Sequence, residues 1–244
     1  MNEADRSLLC EGELEILGRI VEASNATLLC SVTHAGRTEH AVYKPVRGER
    51  PLWDFPDGTL AGREVAAYAV SEATGWGIVP PTILRHDAPF GTGMVQLWMD
   101  GDDDVDLVEL INSAPESLRR MAVLDAVINN SDRKGGHIIP QPSADPTALT
   151  DLQVWGVDHG VSFSVEDKLR TLLWQWAGDP LTDEALATLH LLLDDLEDEL
   201  GEVLHEHLTL TEVQATRERI EALLRSGQHP LPSPDWPSVP YPPF

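Results

Sequence analysis

The chain has 244 residues, enough to bury the core of one large domain or two small ones. It carries 41 acidic and 17 basic residues, which gives a net charge of −24 at pH 7. This field repels nucleic acids and anionic membrane surfaces, so neither is an expected partner. The two cysteines are too few for a disulfide scaffold. Since the acidic start has no signal-peptide pattern and no apolar run reaches the length of a membrane span, the sequence predicts a soluble, cytoplasmic protein.

The first third of the chain has the pattern of strands and turns. Three β-prone runs are followed by a loop rich in Pro and Gly at 47–58 and then by a helical pattern from Thr59 to Gly75. Two more strand patterns follow around a Gly-containing turn. In chain order, the strand patterns cover residues 14–23, 26–34, 41–46, 78–87 and 93–100.

Beyond residue 100 the pattern becomes helical. Helices are predicted at 104–110, 115–130, 183–206 and 211–226, with one strand at 152–163 and a Pro-rich tail at 229–244. The prediction is therefore an α+β fold with two lobes. A β-rich N-terminal lobe with one helix covers residues 1–98, and a small helical lobe covers 99–244.

Several common enzyme motifs are missing. The sequence has no G-x-x-x-x-G-K-[ST] phosphate loop, no G-x-G-x-x-G, no H-E-x-x-H and no G-x-S-x-G. P-loop NTPases, dinucleotide enzymes, zinc proteases of that type and serine hydrolases are thereby disfavoured.

An ordered series of polar residues is present instead, and it follows the order used by protein kinases. The series is Lys44 on a predicted strand, Glu64 in the next helix, Asp132 with His137 five residues later, and Asp158 two residues before Gly160. Phosphoryl transfer needs a cation on the phosphates, a carboxylate to hold it, a carboxylate for the acceptor proton and one for a divalent metal. Glu72 in the same helix is an alternative to Glu64 as the partner of Lys44.

Two stretches carry a family resemblance: "LDAVINNSDRKGGHII" at 124–139 and "VWGVDHGVSF" at 154–163. They resemble the catalytic loop and the metal motif of the phosphatidylinositol 3-/4-kinase superfamily. That superfamily includes type II phosphatidylinositol 4-kinases and, more distantly, bacterial HipA-type serine kinases. The whole stretch from about residue 14 to 178 resembles small bacterial kinase-like proteins of this superfamily. The resemblance implies a two-lobed protein-kinase-like fold, bound ATP and a divalent metal, Mg²⁺ or Mn²⁺.

The same resemblance assigns roles position by position. Asp132 would be the catalytic aspartate, Lys44 the phosphate-binding lysine with Glu64 as its partner, and Asp158 the principal metal ligand. The turn with Ser24 and Asn25 would cover the phosphates. The adenine edge would meet the backbone of Gln96, Leu97 and Trp98, with the side chain of Trp98 or Met94 packing on the ring.

His137 departs from the family pattern, which has Asn at this position. Imidazole is a poor ligand for Mg²⁺ and a good one for Mn²⁺ and other transition metals. We therefore expect either use of Mn²⁺ or a single-metal arrangement in which His137 contacts a phosphate.

The acceptor and the remaining cations are less determined. Arg133, Lys134, Lys168 and Arg170 are candidates for contacts with phosphate or acceptor. The net negative charge of the chain favours, as the acceptor, a hydroxyl of a soluble small molecule or of a protein over that of a lipid. Two alternatives stay open: a nucleotide-binding pseudokinase that acts as a scaffold, and an AMP transferase on the same fold. The tail either binds a partner in polyproline form or packs back onto the helical lobe.

Overall fold

The computed structural model describes residues 1–20, 25–143 and 149–244, so the predicted phosphate contact of Ser24 lies outside the described residues. The N-terminal half is built on a five-stranded sheet in which all paired strands are antiparallel, in the order β1-β2-β3-β5-β4. Its strands are β1 (Glu13–Arg19), β2 (Leu28–His34), β3 (Arg37–Pro45), β4 (Thr82–Arg85) and β5 (Gly93–Leu97). The predicted β-rich half with an α+β composition is confirmed.

A short helix, α1 (Glu3–Glu11), precedes the sheet and was not predicted. Its start is stabilised by Asn2, whose side chain accepts a hydrogen bond from the Asp5 backbone N–H. Leu8 and Leu9 are its buried residues and belong to the apolar cluster of the sheet. With only two buried positions, the helix leaves too short a periodic pattern to recognise.

Helix α2 (Leu60–Thr74) confirms the predicted boundaries at Thr59 and Gly75. Gly75 adopts a left-handed φ of +69°, which suits a residue without Cβ at a helix end. The capping at the start is unexpected, because the Thr59 hydroxyl donates to the Pro56 carbonyl. The Glu49 carboxylate instead accepts from the backbone N–H groups of Leu60 (3.1 Å) and Ala61 (2.9 Å).

The C-terminal half is mainly helical. Its elements are α3 (Leu107–Ser113), α4 (Glu116–Ile128), β6 (Ile138–Pro140), β7 (Val154–Gly156), α5 (Asp183–Asp195), α6 (Glu199–His207) and α7 (Leu210–Ser226). The strand predicted at 152–163 is shorter than expected because Asp158 and Phe163 turn the chain with positive φ. The helix predicted at 183–206 is two helices. The chain folds back between them so tightly that a Cβ on Gly201 would lie 2.1 Å from the Leu196 carbonyl oxygen.

Helix α2 links the two halves of the molecule. Its buried residues Ala66, Ala67 and Val70 belong to the large apolar cluster of the helical half, not to that of the sheet. Arg63, 1% exposed, donates to Glu212 of α7 (2.5 Å) and to the Ser162 carbonyl (2.8 Å). The helix that carries Glu64 is thus held mainly by the C-terminal half. Within the described residues, no helix is long and apolar enough to cross a membrane.

Candidate active site

Three charged side chains meet where the sheet faces the helical half. Lys44 near the end of β3 places its Nζ 2.6 Å from Glu64 Oε1 and 2.9 Å from Asp158 Oδ1. Glu64 lies in the second turn of α2 and is 1% exposed. Asp158 follows β7 and keeps half of its side chain exposed. The cluster therefore joins one residue from the sheet, one from α2 and one from the segment after β7.

The charges of this cluster stabilise one another. Burial lowers the pKa of Lys44, but the Asp158 and Glu64 carboxylates outweigh burial, and the net pKa lies above the ordinary value. In return, the Lys44 ammonium holds the pKa of Asp158 well below its usual range, against the opposing effect of burial. At neutral pH the site thus presents a fixed ammonium beside an ionised, half-exposed carboxylate.

Glu64 also fixes the segment that carries Asp158. Its second oxygen, Oε2, accepts a hydrogen bond from the His159 backbone N–H at 2.8 Å. Asp158 itself has a left-handed φ of +60°, which costs free energy in a non-glycine residue. Since the backbone bond at His159 comes directly after this position, Glu64 helps to hold Asp158 in a strained conformation that directs it to Lys44.

The predicted catalytic loop follows α4. Asp132 has a side chain that is 27% exposed, and its Oδ2 lies 2.9 Å from Lys134 Nζ. Its backbone N–H donates to Asn130 Oδ1 at 3.0 Å, and the Asn130 side chain donates in turn to Asp125. The carboxylate of Asp132 thus remains accessible from solvent while its backbone is held from inside.

Arg133, a candidate for contacts with phosphate or acceptor, is a buried residue whose guanidinium is fully engaged within the protein. It is 0% exposed and forms an ion pair with Asp125, also 0% exposed, at 2.8 Å. The same guanidinium donates to the carbonyls of His137 and Val157, both at 3.1 Å. Its Nη2 also lies 2.7 Å from His159 Nε2. A phosphate has no surface of Arg133 to bind, and the residue instead joins the catalytic loop to the segment around Asp158.

Asp125 and Asn130, which were not predicted as site residues, support the loop from beneath. Both are fully buried, and Asp125 accepts from Arg133 and Asn130. A charged residue inside the apolar run "VLDAVI" was the available signal, since a buried carboxylate requires a partner.

His137 lies beside Asp158, with its Nε2 3.4 Å from Oδ2. Burial lowers the pKa of His137 and outweighs the raising effect of Asp158, so the imidazole is neutral near pH 7 and can donate a lone pair. One imidazole nitrogen and one carboxylate suit a divalent ion of the Mn²⁺ type better than Mg²⁺. In the described part of the chain, no three His, Cys, Asp or Glu side chains converge. The residues present would supply two ligands to a divalent metal and leave the others to groups from outside the protein.

A small recess lies at this cluster. Its volume is about 40 Å³, and its lining includes Asn25, Lys44, Glu49, Glu64, Asp158 and Gly160. Asn25 Oδ1 accepts from the Arg50 backbone N–H at 2.9 Å, which ties the chain before β2 to the loop after β3. The recess is much smaller than the pockets that bury most of a drug-sized ligand.

Donor groups at the predicted adenine contacts are already bonded within the protein. The backbone N–H of Leu97 donates to the Pro81 carbonyl (2.9 Å) and that of Trp98 to the His40 carbonyl (3.0 Å). Gln96 is buried, and its side chain donates to Thr82. These donors are occupied because β5 lies between β3 and β4 and not at an edge. Of the two side chains expected on the ring, Met94 is 0% exposed and Trp98 is 40% exposed.

The remaining predicted cations behave differently from one another. Lys168 is 3% exposed and pairs with Glu166 (2.9 Å) and Asp54 (3.1 Å), so it is not available to an acceptor as expected. Arg170 uses its backbone, donating to the Asn130 carbonyl at 2.9 Å and accepting from the Arg133 N–H at 3.0 Å. Of the four candidates, Lys134 is the one whose charged group lies against Asp132.

Comparison with known structures places this architecture among protein-kinase-like folds. The crystal structure of the Helicobacter pylori proinflammatory kinase CtkA matches with a TM-score of 0.52 and 10% identity, over 90% of this chain and 94% of that one. Rio2 kinase from Chaetomium thermophilum, in its ADP/Mg²⁺-phosphoaspartate complex, gives a TM-score of 0.43 at 12% identity, over 91% of this chain and 74% of that one. The narrower resemblance to phosphatidylinositol kinases stays a prediction.

Comparison by sequence finds a closer relationship than these similarities of fold. The chain is 44% identical to protein Rv2133c of Mycobacterium tuberculosis in an alignment of 279 positions, which covers 100% of this chain and 97% of that protein. It belongs to the same family as Rv2133c. No protein-family profile matches the chain.

Proposed function

We propose that the chain is an ATP-dependent phosphotransferase that moves the γ-phosphate to a hydroxyl group. One observation carries the proposal: Lys44 Nζ contacts both Glu64 and Asp158, within 2.9 Å of each. These two contacts place the Lys44 ammonium where phosphates can bind and the half-exposed Asp158 carboxylate where a cation can bind. The kinase-like fold supports this interpretation.

Each polar residue then has a defined task. Lys44 binds phosphate oxygens, and Glu64 holds its ammonium in place. Asp158 and His137 hold the divalent ion, which when bound offsets the charge of the phosphates. Asn25, which lines the recess, contacts the phosphates.

Asp132 takes the proton of the acceptor. As the acceptor oxygen forms a bond to the γ-phosphorus, the bond between this phosphorus and the β,γ-bridging oxygen breaks and ADP leaves with the electron pair. The acceptor proton passes to the Asp132 carboxylate. Lys134, with Nζ 2.9 Å from Asp132 Oδ2, lies close enough to bind the transferring phosphoryl group.

The acceptor we propose is a hydroxyl of a soluble small molecule or of a protein. The net charge of −24 disfavours work at an anionic lipid surface, where a polybasic segment is usually needed.

The test follows both ends of ATP. Wild type, Asp132→Ala and the control Asp194→Ala, which replaces an exposed acid near the end of α5, are incubated with α- and γ-labelled ATP and Mn²⁺ or Mg²⁺. We expect the γ label alone to be transferred, by wild type and the control, and Asp132→Ala to lose at least about 100-fold in rate.

Other outcomes would reject the proposal in distinguishable ways. Transfer of the α label alone identifies an AMP transferase. Transfer of neither label, with ATP still raising the melting temperature, identifies a nucleotide-binding scaffold.

A further inference from the structure

The Pro-rich C-terminal region does not extend into solvent, and its last part lies along the candidate active site. We call residues Trp236–Phe244 the tail segment. Its Ser238 carbonyl accepts hydrogen bonds from the Thr171 backbone N–H (3.0 Å) and from Trp174 Nε1 (2.9 Å). Its Pro243 carbonyl accepts from the Gly135 backbone N–H at 2.8 Å. The tail segment thus binds two separate parts of the helical half through its backbone.

Gly135 is the point of closest approach to the catalytic loop. A Cβ at this position would lie 2.1 Å from Phe244 Cδ1 and 2.3 Å from Cε1. The aromatic ring therefore packs directly on the glycine backbone, three residues after Asp132. Only glycine permits this contact.

The other end of the tail segment reaches the loop between β3 and α2. Trp236 stacks with Trp53 of that loop, with ring centroids 6.1 Å apart. Lys168 Nζ lies over both rings, 4.7 Å from the Trp53 centroid and 4.5 Å from the Trp236 centroid. The contact combines cation–π attraction with ion pairs of Lys168 to Asp54 and Glu166. It joins the loop after β3, the segment after the D-x-G motif and the tail.

These contacts flank the proposed proton acceptor. Arg133, next to Asp132, pairs with Thr171 in a parallel bridge, so the two segments that the tail binds lie side by side at the catalytic loop. The tail binds them through two hydrogen bonds from backbone N–H groups of the helical half to its own carbonyls, at Ser238 and Pro243. This is the manner in which a polypeptide acceptor would approach Asp132.

We propose that the tail segment occupies the acceptor side of the catalytic loop, inhibits phosphoryl transfer while it is docked, and must detach for a polypeptide acceptor to bind. This inference rests on the proposed phosphotransferase function and adds both its regulation and the class of its acceptor. Phe244 remains 56% exposed and the segment contributes no residue to either apolar cluster, so few buried contacts oppose its detachment.

The test uses the full chain with Phe244→Ala, Trp236→Ala and the control Val239→Ala, which changes a 40% exposed side chain within the same segment. Transfer of γ label from ATP to added dephosphorylated casein is measured with Mn²⁺, together with hydrogen exchange of the amides at 134–136 and 171. Detachment should speed exchange at Gly135 and Thr171. Transfer should rise about fivefold or more in Phe244→Ala and Trp236→Ala, which is the lower end of the usual range for coupling between two sites. The KM for ATP should not change.

Each contrary result has its own meaning. If the docking variants exchange faster but transfer label at the wild-type rate or more slowly, the tail proposal is overturned while the phosphotransferase stands. Unchanged exchange at Gly135 overturns it as well, because the tail then does not hold the loop. If wild type and all variants transfer no label to any acceptor, the proposed function itself fails.

Discussion

Five residues, from Lys44 to Asp125, form a continuous series of contacts that reaches the predicted catalytic loop. Lys44 contacts Glu64, Glu64 accepts from the His159 backbone, the His159 ring contacts Arg133, and Arg133 pairs with Asp125 under the loop. Lys44 is partly exposed, and each of the other four residues is at most 1% exposed. Because buried polar groups are costly when they lose a partner, a change at one member is transmitted to its neighbours.

Among these five residues, Glu64 is the one whose role can be isolated by a matched control. Glu64→Gln keeps the shape but removes the charge that holds Lys44, so we expect the transfer rate to fall roughly 100-fold, the size of loss that small misplacements cause. Glu72→Gln, on an exposed position of the same helix, should leave the rate within a factor of about two, since surface changes have small effects. Steady-state transfer of γ label measures both. Equal losses in the two variants would remove Glu64 from its assigned role.

The choice of metal depends on His137. We expect wild type to prefer Mn²⁺ over Mg²⁺, and His137→Asn to reverse this preference by replacing a nitrogen ligand with an oxygen ligand. Apparent Mn²⁺ affinity should fall at least by the roughly tenfold that loss of a supporting contact to a metal ligand costs.

Titration of transfer activity with each metal provides the measurement for His137. The contradicting result is full turnover of wild type with Mg²⁺ together with a His137→Ala variant whose metal and ATP affinities are unchanged.

The types and the order of the charged residues could be predicted from the sequence, but not which of these residues are buried. The order of Lys44, Glu64 and Asp158 could be read from the sequence because phosphoryl transfer requires these types in this order. The fate of Arg133 and Lys168 could not, since an arginine that binds phosphate and one that pairs with a buried aspartate look alike in a single sequence. The burial of Asp125 is what separates the two.

At the scale of the elements, α2 determines how the site is assembled. Its boundaries followed from Thr59 and Gly75, but its capping group comes from Glu49, 11 residues before Leu60. A local sequence rule looks for the cap next to the helix, whereas here the loop after β3 folds back to supply it. The same carboxylate lines the recess at Lys44. The start of α2 and the end of β3 are thereby held together, which fixes the distance between Glu64 and its lysine.

Removal of this cap should weaken the whole molecule measurably. Glu49→Ala leaves two backbone N–H groups of α2 without their acceptor and removes a negative charge from a helix N-terminus, so we expect a loss of about 1 to 2 kcal/mol in the free energy of unfolding. Asp57→Ala, an exposed acid in the same loop, is the control and should change it by less than about 0.5 kcal/mol. Urea unfolding gives both values, and similar losses in the two variants would exclude a capping role.

At the scale of the whole molecule, the alternation of strand and helix patterns was enough to predict an α+β fold with a β-rich first half. It could not be predicted which half of the molecule α2 packs against, because the pattern of its apolar residues is the same in either case. Its burial against the helical half follows from partners more than 100 residues away, such as Glu212. Local pattern identifies elements, and only long-range contacts decide how they are grouped.

Stability of the molecule should decrease in acid through a buried histidine away from the site. Burial, together with the nearby Arg119 guanidinium, lowers the pKa of His229 to about 4. In the unfolded chain this group titrates near 6.5, so between these pH values the unfolded state binds more protons. The contribution of His229 to stability is therefore intact above about pH 6.5 and is lost as the pH falls toward 4.

A variant isolates this contribution from the 41 carboxylates of the chain. We expect His229→Gln to unfold more easily than wild type at pH 7 because it loses packing against Trp176, yet to lose less stability between pH 6.5 and 4. Unfolding by urea at several pH values measures the two slopes. Parallel curves for wild type and variant would show that His229 stays unprotonated in both states or titrates equally in both.

The contact of Phe244 with Gly135 has a practical consequence for recombinant protein. Any affinity tag or fusion partner joined after Phe244 would begin at the catalytic loop, where its first residues compete with the docked ring for space. Kinetic constants from such a fusion would describe a perturbed enzyme, and two laboratories with different tags would obtain different rates. Under the tail proposal, untagged protein would show the docked, slower rate and a fusion that displaces the ring would show a faster one, so both preparations should be assayed.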